Sequence, residues 1–298
     1  MRTATSRRCR LTAPKGTSDT PRTGPVSTTT RNRLARLAQV IDDGLPRVIA
    51  CSGGIDSMLL ATVAHRQSPG ATTVAHAVSP AVPADATARV EAWAQSEGWQ
   101  LEIVRSGEFE NENYLSNPVN RCYFCKTKLY DSLDRIAGVI GDRPAMMSGA
   151  NTDDLGEYRP GLIAAREYAV RHPYIEADID KTTIRAIASH LALPFAALPA
   201  SPCLASRLYT GTRVTAERLR AVEESEATIR GATGIEVVRC RIRDEKMYIE
   251  VGDTDRDKIT AALLERVAGV AVRCGLRLAA VRLDPEPYRP GRAFVASR

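Results

Sequence analysis

Six residues, Ser52-Gly53-Gly54-Ile55-Asp56-Ser57, carry the clearest chemical signal in this chain. They stand between a short apolar run, Arg47–Cys51, and an apolar helical stretch from Met58 to about His65. Two successive glycines let a backbone turn sharply and approach a ligand with no side chain in the way. The start of the following helix offers free N–H groups and a partial positive charge to an anion. Ser52 and Ser57 add hydroxyls, and Asp56 suits a phosphate site if it holds a divalent cation or orients the turn. No Gly-x-x-x-x-Gly-Lys-Ser/Thr string is present, so this is not the common P-loop.

A second group points to sulfur or metal chemistry. Cys122 and Cys125, in Asn120-Arg121-Cys122-Tyr123-Phe124-Cys125-Lys126, share one face of a helix, and a helix N-terminus would stabilise both thiolates. Cys203 lies in Pro202-Cys203-Leu204-Ala205-Ser206-Arg207, on a long loop. By itself the pair also reads as half a zinc site without an obvious fourth ligand, a redox dithiol outside a thioredoxin-like setting, or two small buried hydrophobes. Cys9, Cys51, Cys240 and Cys274 read as tail or packing residues, and His65, His76, His172 and His190 have no mutual metal spacing.

A third group is cationic. Period-two alternation over Ile235–Arg243 sets Arg239, Arg241 and Arg243 opposite Val238, Cys240 and Ile242. Guanidiniums in a row suit a phosphate, because each offers paired donors in a rigid fork. The alternative is a solvated strand face paired with Glu245 and Glu250. Arg207, beside Cys203, is placed either to contact an AMP phosphate or to hold the cysteine loop.

The elements that must position these groups follow from periodicity. Helices are expected from Leu34 to about Leu45, from Met58 to His65 and over Ala84–Ser96, Cys122–Ala137, Leu162–Val170 and Lys181–Leu191. Strands are expected at 47–51, 73–78, 100–104 and 145–148. Strands alternating with helices imply a parallel sheet covered on both faces. After a loop over Ala197–Thr212 the order changes: helix Thr215–Arg230, strands Ile235–Ile242 and Lys246–Val251, helix Asp255–Arg273, strand Arg277–Leu283. The expected fold class is therefore α/β: a doubly wound parallel sheet over residues 32–204 with a smaller α+β domain over 205–298.

Composition narrows the partners. The first 31 residues hold seven basic side chains against Asp19 alone, which accounts for the whole net charge of +6. The folded body is then formally neutral, which argues against a nucleic-acid partner. No apolar stretch approaches the length of a membrane span, and seven cysteines in 298 residues do not suggest a disulfide scaffold. Residues 1–31 have the composition of a disordered tail rather than a secretory signal, so a cytoplasmic protein is expected.

The turn at Ser52–Ser57 closely resembles the SGGxDS signature of PP-loop ATP pyrophosphatases, the adenine nucleotide alpha hydrolase-like fold. Together with the three cysteines, Gly149-Ala150-Asn151-Thr152-Asp153-Asp154, Tyr158-Arg159-Pro160-Gly161, Arg239-Cys240-Arg241 and Tyr288-Arg289-Pro290-Gly291, it resembles the LarE family of sulfur transferases over roughly Leu34 to Arg292. That resemblance implies ATP and Mg2+ at Ser52, Gly53, Gly54, Asp56 and Ser57, with Arg207 nearby. It implies a substrate phosphate at Arg239 and Arg241, and adenylation of a pyridinium mononucleotide carboxylate that is then converted to a thiocarboxylate for the nickel-pincer nucleotide. In one version of the family a cysteine at the position of Cys203 gives up its own sulfur and becomes dehydroalanine. In the other, three cysteines hold a 4Fe-4S cluster carrying an extra sulfide, and Cys122, Cys125 and Cys203 match all three positions. The sulfide donor is unidentified, and a homo-oligomer is expected. The turn after the arginines, Asp244-Glu245-Lys246, departs from the His-Gly-Asp turn common in the family. The rival readings are a cluster-dependent RNA thiolase, a PP-loop amidotransferase or synthetase, and a non-catalytic adenine-nucleotide-binding protein.

Overall fold

The computed structural model describes residues 28–42, 44–141, 144–156 and 158–293. Most of the basic N-terminal segment, with Cys9, lies outside them; positions 28–31, expected in the tail, instead begin the first helix.

The elements in chain order are α1 (Thr28–Ile41), β1 (Arg47–Ala50), α2 (Ile55–Gln67), β2 (Thr72–Ala77), α3 (Ala84–Glu97), β3 (Gln100–Val104), α4 (Glu112–Leu115), α5 (Arg121–Ile140) and β4 (Ala145–Ser148). They continue with α6 (Pro160–Glu167), α7 (Pro173–Glu176), α8 (Lys181–His190), α9 (Ala216–Thr233), β5 (Arg239–Arg243), β6 (Lys246–Glu250), α10 (Ala261–Arg273) and β7 (Ala280–Leu283).

The first four strands form one parallel sheet in the order β3-β2-β1-β4. All four residues of β1 are buried, as befits a central parallel strand covered on both faces. Ile49, Val74 and Met147 pack on one face with Leu37, Met58, Leu59, Ile184 and Ile187 from α1, α2 and α8. Val48 and Ala75 face Tyr130, Leu133 and Ala164 from α5 and α6. The chain winds outward from β1 to β3 and then crosses to β4 on the other side of β1. The reversal therefore lies between β1 and β4, where open α/β sheets form a ligand crevice outside the strands' carboxyl ends.

The second sheet, β5-β6-β7, pairs β5 with β6 antiparallel and β6 with β7 parallel. It packs through Cys240, Ile242, Met247 and Ile249 on α9 and α10. The β5–β6 hairpin turns through Asp244 and Glu245, both at positive φ (48° and 58°), a conformation usually left to Asn or Gly. Helix α10 begins at Ala261 rather than Asp255, because the Thr260 side chain caps it by accepting from the Leu263 N–H. The charged residues Asp253–Lys258 form a separate 3-10 turn. Among the described residues, no helix is long and apolar enough to cross a membrane.

Candidate functional site

The Ser52–Ser57 turn leaves the carboxyl end of β1 and enters α2. Its shape is closed from within: Ser57 Oγ accepts from Ser52 N at 3.0 Å, donates to Gly54 O at 3.1 Å and sits 3.1 Å from Ser52 Oγ. Gly53 holds φ +77°, and a methyl there would lie 2.7 Å from the Ala86 carbonyl. Arg89 of α3 donates to the Gly53 carbonyl at 2.6 Å. The first turn of α2 follows this frame, and N–H groups at a helix start are the donors an anion needs.

Asp56 does not stand alone. Its carboxylate pairs with Lys181 at the start of α8, 2.5 Å away, and Tyr174 donates to its main-chain carbonyl at 2.8 Å. Burial pushes the Asp56 carboxyl above the usual carboxylate range, and Lys181 opposes that push. The β4 loop closes the other wall: a methyl on Gly149 would lie 2.9 Å from Ser57 N.

Cys203 lies near enough to Cys122 and Cys125 for its charge to act on both thiols. Cys122 and Cys125 stand in the first turns of α5, which begins beyond the carboxyl end of β3. Cys203 follows from the anchoring of its loop, where Leu204 N donates to the Ala81 carbonyl beyond β2 at 2.8 Å. Two strand spacings, about 10 Å, separate β1 from β3. Cys203 is exposed and the other two thiols are half-buried. Burial raises the Cys122 thiol, and the charge of Cys203 adds to the rise. Burial pushes Cys125 up to about 12, with Lys126 opposing and Cys203, Glu108 and Cys122 adding.

Lys126, on the next position of α5, is the cation of this group. Burial works against its charge, but Tyr130 and the three thiols more than offset it, so its pKa stands above the ordinary lysine value. Its stem packs against Gly161, where a methyl would come within 3.0 Å of Lys126 Cγ. The sequence pattern alone assigned Lys126 no role, yet the signal was there: Cys122, Cys125 and Lys126 are i, i+3 and i+4 on one helix face. Among the described residues, no group of three or more His, Cys, Asp or Glu side chains is arranged to hold a metal ion. By donor type alone, three thiols with adjacent cations match a polynuclear iron–sulfur group better than a single hard ion.

The arginines divide into paired and unpaired. Arg207 is 3% exposed; its Nε and Nη2 bind Glu226 at 3.0 and 3.2 Å. Its Nη1 donates to Pro202 O at 2.7 Å, Cys203 O at 3.3 Å and Ser206 Oγ at 3.1 Å. Arg207 thus grips the cysteine loop. Arg241 binds Glu250 at 2.7 Å and the Ser206 carbonyl at 3.0 Å. Arg239 donates to two main-chain acceptors, Val238 O and Ala200 O, and its guanidinium lies 5.4 Å from the Tyr288 ring centre. Burial, then the charge of Arg207, lowers its pKa. Both Arg239 and Arg241 are buried, because residues 200–209 and the segment around Arg289 cover the strand face that alternation alone would leave open. Arg243 stays at the rim between the rings of Tyr209 and Tyr248.

Comparison with known proteins adds a family to this geometry. The uncharacterized protein slr1717 of Synechocystis is 38% identical over 220 residues, 74% of this chain and 81% of that protein. The chain belongs to the same family as that protein. The pyridinium-3,5-bisthiocarboxylic acid mononucleotide synthase of Lactiplantibacillus plantarum is 28% identical over 89% of this chain and 94% of its own length, which supports placing the family with LarE. The uncharacterized protein MJ0830 of Methanocaldococcus jannaschii is 28% identical over 71% of this chain and 79% of its own. No family model matches the chain.

Proposed function

We propose that this LarE-like protein is an ATP-dependent sulfur transferase that turns a carboxylate of a pyridinium mononucleotide into a thiocarboxylate. One observation supports the reading: Cys122, Cys125 and Cys203, distant in sequence, lie near enough for the charge of Cys203 to act on the other two thiols. The name of the Lactiplantibacillus relative supplies the substrate class.

A carboxylate is a poor electrophile at neutral pH, so it is first made into a better one. The carboxylate oxygen attacks the α-phosphorus of ATP, and the bond to pyrophosphate breaks. The N–H groups at the start of α2 and the turn held by Arg89 and Lys181 cradle the phosphates, where Mg2+ bound with the nucleotide would supply charge against the departing pyrophosphate. Sulfur then attacks the acyl carbon, the bond to AMP breaks, and AMP leaves. Arg239 holds the substrate phosphate, since Arg207 and Arg241 are already neutralised by Glu226 and Glu250. Cys122, Cys125 and Cys203 would hold a 4Fe-4S cluster, which when bound supplies exchangeable sulfide at its open iron. Lys126 offsets the negative charge gathered there.

A second reading is favoured by the exposure of Cys203 alone among the three. Here the Cys203 sulfur itself attacks the acyl carbon and AMP leaves; loss of the Cα proton with cleavage of the Cβ–S bond then frees the thiocarboxylate and leaves dehydroalanine. Anaerobic purification decides between them. The cluster reading predicts broad brown absorbance that Cys122→Ala removes. A colourless protein whose Cys203 loses about 34 Da on turnover, one equivalent of hydrogen sulfide, would establish the sacrificial route.

A further inference from the structure

Arg121 opens α5 directly before Cys122 and is 2% exposed. A cation in the first turn opposes the helix dipole, and a buried guanidinium gives up its hydration. The Arg121 Nη1 crosses 84 residues of sequence to donate to the Ala205 carbonyl at 2.9 Å, two positions past Cys203. The same Nη1 donates to Asn117 Oδ1.

Asn117 continues the connection. It is 1% exposed and holds φ 55°, a left-handed conformation that asparagine tolerates better than most residues. Its Nδ2 donates to Tyr209 O at 2.9 Å and Thr212 O at 2.8 Å, and its own carbonyl accepts from Gly211 N at 2.9 Å. Arg121 and Asn117 thus bind the chain just after Cys203 at Ala205, Tyr209, Gly211 and Thr212. Arg207, within the loop, and Arg241, on β5, bind the same stretch at Pro202 and Ser206. The loop is held between two anchors, and the α5 anchor begins one residue from a thiol that Cys203 must meet.

We propose that Arg121 is a positioning residue: through Ala205 and Asn117 it fixes the Cys203 loop against the Cys122–Cys125 turn of α5. Its purpose rests on the sulfur-transfer reading, but its test does not. A wild-type protein whose thiols meet but which transfers no sulfur would sink that reading and leave this one standing.

The test uses the full-length, iron-free protein and two alkylating probes. A short bifunctional reagent, dibromobimane, reports how often Cys203 meets Cys122 or Cys125. Iodoacetamide reports the reactivity of Cys203 alone, and peptide mass mapping assigns each product. Arg121→Gln is expected to slow bridging relative to single alkylation by about 10-fold or more, because a displacement of about 1 Å disrupts paired reactions steeply. Arg121→Lys, which can keep one bond, is expected to fall between. Should Arg121→Gln fail to fold, Asn117→Asp retains the acceptor for Arg121 but loses both donors to Tyr209 and Thr212, and is expected to slow bridging with single alkylation unchanged. Bridging at the wild-type ratio in a folded variant, or no bridging in the wild type, overturns the proposal.

Discussion

Gly149 and Ser57 stand so close that a methyl on Gly149 would lie 2.9 Å from the Ser57 nitrogen. The loops leaving β4 and β1 are therefore in contact where the sheet's winding reverses. Gly149→Ala is expected to force them apart and to weaken ATP binding by about 10-fold or more, since the cradle depends on positioning. Nucleotide titration by calorimetry checks this, and unchanged affinity would show that the crevice is not the ATP site.

Glu226 neutralises Arg207 from a fully internal position, with side chains 4% exposed for the arginine and 3% for the glutamate, and also accepts from Cys240 N. Glu226→Ala leaves Arg207 buried without its carboxylate and is expected to cost about 3–5 kcal/mol. Urea unfolding measures the loss. A cost under about 1 kcal/mol, the range of an exposed pair, would mean that water reaches this pair.

Arg239 and Arg241 are expected to fail differently. Arg239 has no carboxylate within ion-pair distance among the described residues, so Arg239→Gln is expected to weaken substrate-phosphate binding with little change in unfolding midpoint. Arg241→Gln strips Glu250 of a 2.7 Å partner and is expected to lower stability first. Inorganic phosphate titration beside thermal melts separates the two, and equal losses in both assays would contradict the division.

Burial pushes the Cys125 thiol up to about 12. Only the thiolate is nucleophilic, so its alkylation at pH 8 is expected to be slow and to rise about tenfold per pH unit towards that value. Mass-mapped iodoacetamide labelling from pH 7 to 11 follows it. A rate that levels off near pH 9 would show an unburied thiol.

Much of this fold is legible in the sequence because its signals are local. Apolar runs bounded by turn residues locate β1 to β4 to within a residue or two, and the glycine pair marks the crevice. Helices α4 and α7, four residues each, are too short to show periodicity and escape a sequence reading. Periodicity draws α10 too long because a capping threonine, Thr260, decides its start against a run of helix-compatible charges. The partnerships that give residues their roles are not legible. Lys181 reaches Asp56 across 125 positions, and Arg207 is committed by Glu226 on another helix. Such pairings exist only once the chain has folded. Asn117 has no marking beyond its tolerance of positive φ.

The central claim is that Cys203 takes part in sulfur transfer after the nucleotide chemistry is complete. Its most direct test compares wild type with Cys203→Ala, given ATP, Mg2+ and a pyridinium-3,5-dicarboxylate mononucleotide, with pyrophosphate and thiocarboxylate measured in the same reaction. The account predicts that Cys203→Ala still releases pyrophosphate but forms no thiocarboxylate. Thiocarboxylate formed at the wild-type rate without Cys203 would contradict it.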